Sequence, residues 1–197
     1  MGRRRQWATK NIAPKYEIPR SYWVEQGYDD DYIKLVENLI TEIEFDIRIL
    51  SSAEGRRQIF LSGCMVMNPE TDDEECISET ILHDDALMPY WRKFSDALKV
   101  SKESSLFAFD QVQLSTELLD LLEPAVINRN ITNFGLRQNE FDNIQRGISY
   151  AVNVMGSIRR MREFEWAYNE VYSGEDFQPL LEAVINHPSI SKTNFVN

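Results

Sequence analysis

The chain is poor in cysteine, with only Cys64 and Cys76 among 197 residues. So small a number rules out a disulfide scaffold. No leader-like segment and no apolar run of about 18 residues is found, so a soluble, reducing, cytoplasmic setting without a membrane span is expected. Histidine is as scarce, at His83 and His187. A zinc set of Cys64, Cys76, His83 and His187 fits on ligand type, but no CxxC or HxxxH spacing supports it. There is no P-loop, no GxSxG, no Gly-rich dinucleotide turn and no HExxH. No catalytic residue, metal or cofactor is therefore expected.

Positive charge is also short, with 21 Lys and Arg against 32 Asp and Glu and a net charge of −11. The deficit is uneven. Arg3, Arg4, Arg5, Lys10, Lys15 and Arg20 face only Glu17 in the first 20 residues, a net of +5, which leaves −16 for the remainder. Such a body repels phosphate, so no nucleic-acid partner is expected, and another protein with a basic surface is the better electrostatic match. The Arg triplet reads as a solvated tail ahead of a localisation patch. Met1-Gly2 invites myristoylation, but Gln6 stands where that motif needs Ser or Thr.

What the chain does have is a sentence written twice. Ile131-Thr-Asn-Phe134-Gly-Leu136-Arg-Gln-Asn139-Glu-Phe141 returns 30 residues later as Met161-Arg-Glu-Phe164-Glu-Trp166-Ala-Tyr-Asn169-Glu-Val171. Apolar residues two apart put Phe134 with Leu136, and Phe164 with Trp166, on one face of a short strand. The Asn that follows can satisfy backbone groups which the turn would otherwise bury unpaired. Weaker copies stand at 104–114, 56–66, where Cys64 replaces Asn, and 190–195. Leu121-Leu-Glu-Pro-Ala-Val-Ile-Asn128 echoes Leu180-Leu-Glu-Ala-Val-Ile-Asn186.

This pattern resembles the ribonuclease-inhibitor-like leucine-rich repeats, whose units of about 28 residues pair a strand with a helix. The resemblance implies an α/β solenoid of about four repeats, with parallel strands near 59–61, 107–109, 134–136 and 164–166. Its concave strand face would serve as a protein-binding scaffold. The alternative is a mixed α/β domain whose periodicity is accidental.

Taken in order, 1–29 is expected as an extended basic arm and 30–55 as an N-terminal cap. Residues 56–197 would be repeats, with an acidic insertion at 67–86 and an incomplete last repeat. Ile33, Val36 and Ile40 predict a helix over 32–40. Strict alternation at 42–48 then favours a strand, although a helix through Leu50 also fits the spacing. The insertion carries eight carboxylates and no Lys or Arg, yet lacks the central Gly of a calcium loop. Further helices are expected over 85–100, from Ser115 or Thr116 with Pro124 inside, over 144–158, and over 175–185.

Residues between the apolar places should point onto the strand face, and they form the candidate partner-binding set: Asp110, Gln111, Asn133, Arg137, Gln138, Arg162, Glu163, Glu165 and Tyr168. Tyr and Arg commonly dominate binding energy on such surfaces. A second reading is a regulator of an enzyme, such as a small-GTPase-activating repeat protein, but no arginine is singled out for that role. Because the last copy is cut in mid-pattern, either the chain continues beyond Asn197 or its open C-terminal end self-associates. The sequon Asn130-Ile-Thr132 is read as chance without a secretion signal.

Overall fold

A computed structural model describes residues 18–52, 58–66, 76–100, 104–169 and 174–196. The Arg3–Arg5 arm and the acidic run at 68–75 lie outside the described residues. Within the span expected as an arm, α1 (Arg20–Glu25) is helical and buries Trp23.

The first correction concerns 42–48. This segment is not a strand but the second half of α2 (Asp30–Leu50), a single 21-residue helix. Ile33, Val36, Ile40, Ile43 and Leu50 are all buried, at steps that keep them on one helical face. The alternation in 42–48 is real, but the stripe that begins at Tyr32 decides which side faces the core. Asp29 caps the helix by accepting from the Asp31 and Tyr32 amides, and Asp30 and Asp31 lie in its first turn.

The second correction concerns the architecture. In place of a leucine-rich-repeat solenoid, the chain forms a mixed α/β domain on one central parallel sheet. The sheet holds β1 (Gln58–Ser62), β4 (Leu106–Asp110), β6 (Asn133–Arg137), β8 (Glu163–Ala167) and β9 (Lys192–Val196), paired in that order and all parallel. Among the described residues, six helices accompany it. Two aperiodic features break the expected repeat. One is the long α2, which packs on α3 (Met88–Val100) and on β1. The other lies between the first two sheet strands: an antiparallel hairpin of β2 (Cys64–Val66) and β3 (Cys76–Ser78), followed by one 3-10 turn over Asp85–Leu87. Cys64 is disulfide-bonded, which runs against the reducing setting expected from having only two cysteines.

The four strands expected from spacing are present within β1, β4, β6 and β8, and just past β4 and β6 the short β5 (Gln113–Leu114) and β7 (Glu140–Phe141) pair in parallel. The remaining helices are α4 (Thr116–Val126), α5 (Ile144–Ser157) and α6 (Gly174–Ile185). Ser115 caps α4 and Asn143 caps α5, each by accepting an amide of the first turn. The helices pack side by side in chain order, from α2 on α3 to α5 on α6. Each strand sends alternate residues into the core, so Ile59, Leu61, Phe107, Phe109, Phe134, Leu136, Phe164 and Trp166 are buried. Phe134 is the centre of an aromatic row, 6.4 Å from Phe107 and 6.0 Å from Phe164. The intervening residues therefore face the other way, and this second face carries the polar groups of interest. Among the described residues, no helix is long and apolar enough to cross a membrane.

Candidate functional site: the open face of the sheet

Parallel register lines up three rows of outward residues across the sheet. Leu106, Asn133, Glu163 and Lys192 form the first, Ala108, Gly135, Glu165 and Asn194 the second, and Asp110 with Arg137 opens the third. Together with Phe60 of β1, the first two rows and Arg137 line an open cleft of about 530 Å³. Its floor is low because Ala108 and Gly135 are small. A methyl on Gly135 would come within 3.3 Å of the Ala108 Cβ, tight enough to disturb that floor.

The polar rim is internally paired. Asn133 Nδ2 donates to Glu163 Oε2, whose other oxygen accepts from Lys192 Nζ at 3.5 Å. Arg137 Nε donates to Glu165 Oε2 at 2.6 Å, and Asn194 Nδ2 donates to Glu165 Oε1 at 2.7 Å. Two carboxylates thus meet two cations, so the cleft is balanced in charge while the whole chain is acidic. Behind the rim, Asp110 Oδ1 is buried without a hydrogen-bond partner. Burial pushes this carboxyl above the ordinary carboxylate range; Arg137 opposes the shift and Glu165 adds to it.

Of the nine residues expected on the binding face, the cleft gathers Asn133, Arg137, Glu163 and Glu165. Asp110 lies just behind them. Gln111, Gln138 and Tyr168 do not line it. They occupy equivalent places just past their strands, each with positive φ (55°, 48° and 55°). The amides there reach across to the next strand: Gln111 N–H to Arg137 O, Gln138 N–H to Ala167 O, and Tyr168 N–H to Val196 O. Tyr168 remains 61% exposed at that end of the sheet. Arg162 turns to a different hollow, with Thr132, Arg159, Arg160 and Ser189. Sequence reasoning missed Lys192, Asn194 and Phe60, although each holds the outward place of a copy already recognised at 190–195 or 56–66.

Two clusters with catalytic-looking composition have structural explanations. Ser115 Oγ lies 3.2 Å from His83 Nδ1, and His83 Nε2 lies 3.6 Å from Asp85. That serine is buried and its oxygen accepts the Leu118 amide, so it acts as a helix cap and not as an accessible nucleophile. His83, Asp85 and Glu117 could together offer a cation three ligand atoms. Glu117, however, sits in the first turn of α4, where the helix dipole opposes a cation, and it already faces Arg92 at 3.4 Å. The imagined zinc set is not gathered either. His187 Nδ1 accepts the Ser189 and Ile190 amides, which leaves Nε2–H to donate to the Ile158 carbonyl.

No family model matches this chain, and no curated protein matches it.

Proposed function

We propose that this protein is a non-enzymatic recognition domain that binds another protein through the open face of its sheet. One observation carries the reading: the cleft of about 530 Å³ set across the strands, with a small-residue floor and a rim of charged groups. Preformed concave sites with a few fixed polar groups are where proteins most often take ligands. The rim groups are held by one another across strands, so a partner meets them already oriented and little side-chain entropy is lost on binding.

The Asn133–Glu163 and Arg137–Glu165 pairs present both donors and acceptors, which suits a polar polypeptide surface. The acidic body would speed the approach of a basic partner, while the cleft itself selects by hydrogen bonding and fit.

The test begins with a partner recovered from native extract and its dissociation constant for the purified chain. Glu165→Lys would strip Arg137 and Asn194 of their shared acceptor, and a loss of affinity of about tenfold or more is expected. Glu182→Lys on α6 serves as the control and should bind as the parent does. Equal affinity of both variants for the partner would remove the sheet face from consideration.

A further inference from the structure

At the end of β8 opposite Tyr168, three exposed arginines border one hollow. Arg159 and Arg160 follow the C-terminus of α5, and Arg162 immediately precedes β8. With Thr132 and Ser189 they line a space of about 390 Å³. None of the three makes an ion pair with any described residue. This is unlike Arg20, Arg92, Arg137 and Arg146, each of which pairs with at least one carboxylate. In a chain with 32 acidic residues for 21 basic ones, carboxylate partners are not scarce.

A cation beyond a helix C-terminus is ordinarily explained by the helix dipole. That accounts for one arginine here. It does not account for three bordering one hollow with no carboxylate among its lining residues, where an anion would be attracted by all three. We propose that Arg159, Arg160 and Arg162 form a binding site for a phosphate monoester carried by a partner polypeptide, a phosphoserine or phosphothreonine.

The chemistry favours phosphate. A phosphate monoester brings about −1.5 to −2 charges and three strong acceptor oxygens, which match several guanidinium forks at once. A single carboxylate brings only one charge and two oxygens. The setting is also rigid. The Arg162 amide donates to Thr132 O at 2.7 Å, and its carbonyl accepts from Ser191 and Lys192. Ser189 Oγ donates to the Arg159 carbonyl, which ties that backbone to the neighbouring loop. The arginine stems therefore start from fixed points.

The size and lining argue against longer polyanions. No aromatic residue borders the hollow, so nucleic-acid bases have nothing to stack on. No large apolar side chain borders it either, so nothing there would insert into a bilayer. The −11 charge of the whole chain repels any extended anionic surface, but a single phosphate sees chiefly the local arginines.

The experiment is an amide-shift titration of the full chain with a short glycine-flanked phosphoserine peptide. Its unphosphorylated form, phosphatidylserine vesicles and a single-stranded oligonucleotide are titrated in parallel. Saturable shifts at 159–162 with the phosphopeptide alone are expected, and Arg159→Gln with Arg160→Gln should weaken them about tenfold or more. Arg159→Lys with Arg160→Lys should fall between, since charge is kept and the forks are lost. The proposal is overturned if the phosphopeptide leaves 159–162 unmoved, or if the unphosphorylated peptide binds equally. It fails equally if vesicles or the oligonucleotide bind more tightly through the same arginines. Because the wild-type shift map stands by itself, a poorly folded variant does not spare the proposal.

Discussion

The side-chain Oδ1 of Asn169 accepts the backbone amide of Asn139 at 2.8 Å, while its Nδ2 donates to the Leu136 carbonyl at 2.8 Å. Asn139 repeats the arrangement one strand earlier, accepting from the Val112 amide and donating to the Phe109 carbonyl. Both asparagines are buried, so these backbone groups have no water to turn to. Asn169→Ala would orphan one amide and one carbonyl, at a cost of about 2–5 kcal/mol. Urea denaturation should show the midpoint falling with little change in slope. A shift worth under about 0.5 kcal/mol would mean that water replaces the amide.

Asp110 supplies a pH prediction. Its carboxyl is held above the ordinary range in the folded chain, chiefly by burial. The folded state therefore binds its proton more tightly than the unfolded state does. The ionised carboxyl lowers stability at neutral pH, and this penalty fades as pH falls through the raised value towards the usual one. Asp110→Asn should raise the melting temperature at pH 7 by about 1–2 °C, a small gain because the group is only half buried. At pH 3 the two proteins should melt alike. A larger gain at pH 3 than at pH 7 would contradict this account of Asp110.

Gly63 stands where three chain segments converge. A methyl at this position would lie 2.4 Å from the Gln111 carbonyl oxygen and 2.5 Å from that of Glu79. Both obstacles are backbone, so neither can swing aside as a flexible side chain would. Gly63→Ala should cost about 2–4 kcal/mol through overpacking, and calorimetry would show it. Gly174→Ala, with nothing near its added methyl, should cost far less.

Arg146 joins α5 to α4. Its Nε donates to Asp120 and its Nη2 to Glu123, both at 2.7 Å. Glu123 also accepts from Asn153 at 2.9 Å, so the ion pairs belong to a small network. Arg146→Ala should destabilise by about 1 kcal/mol in dilute buffer. In 1 M NaCl screening should reduce the difference by roughly half. A salt-independent loss would assign the effect to packing of the arginine stem.

Much of the domain was legible from residue spacing alone. Phe134 with Leu136, and Phe164 with Trp166, marked inward pairs because a strand turns every second residue to the same side. Asn139 and Asn169 marked the turns because their amides can replace backbone partners. Ser115 with the apolar stripe behind it, and the apolar stripe over 144–158, located α4 and α5. These are local signals, each contained within about a dozen residues.

Other features depended on contacts between distant residues. Whether 42–48 was strand or helix turned on the face that α2 lays against α3 and β1, which local alternation does not contain. Arg162 and Glu163 are neighbours in sequence, yet they serve different hollows because the chain enters β8 between them. The positive φ values of Gln111, Gln138 and Tyr168 arise where each strand hands its hydrogen bonds to the next, and none of the three is the glycine that would have advertised such a conformation. Residue spacing alone showed which residues of β4, β6 and β8 face inward, since a strand buries every second residue. It put Asp46 on the outer side, however, and Asp46 is buried in α2. The architecture, the lining of the cleft and the hollow that Thr132 and Ser189 share with the three arginines came from the fold, because each depends on segments roughly 30 residues apart being brought together.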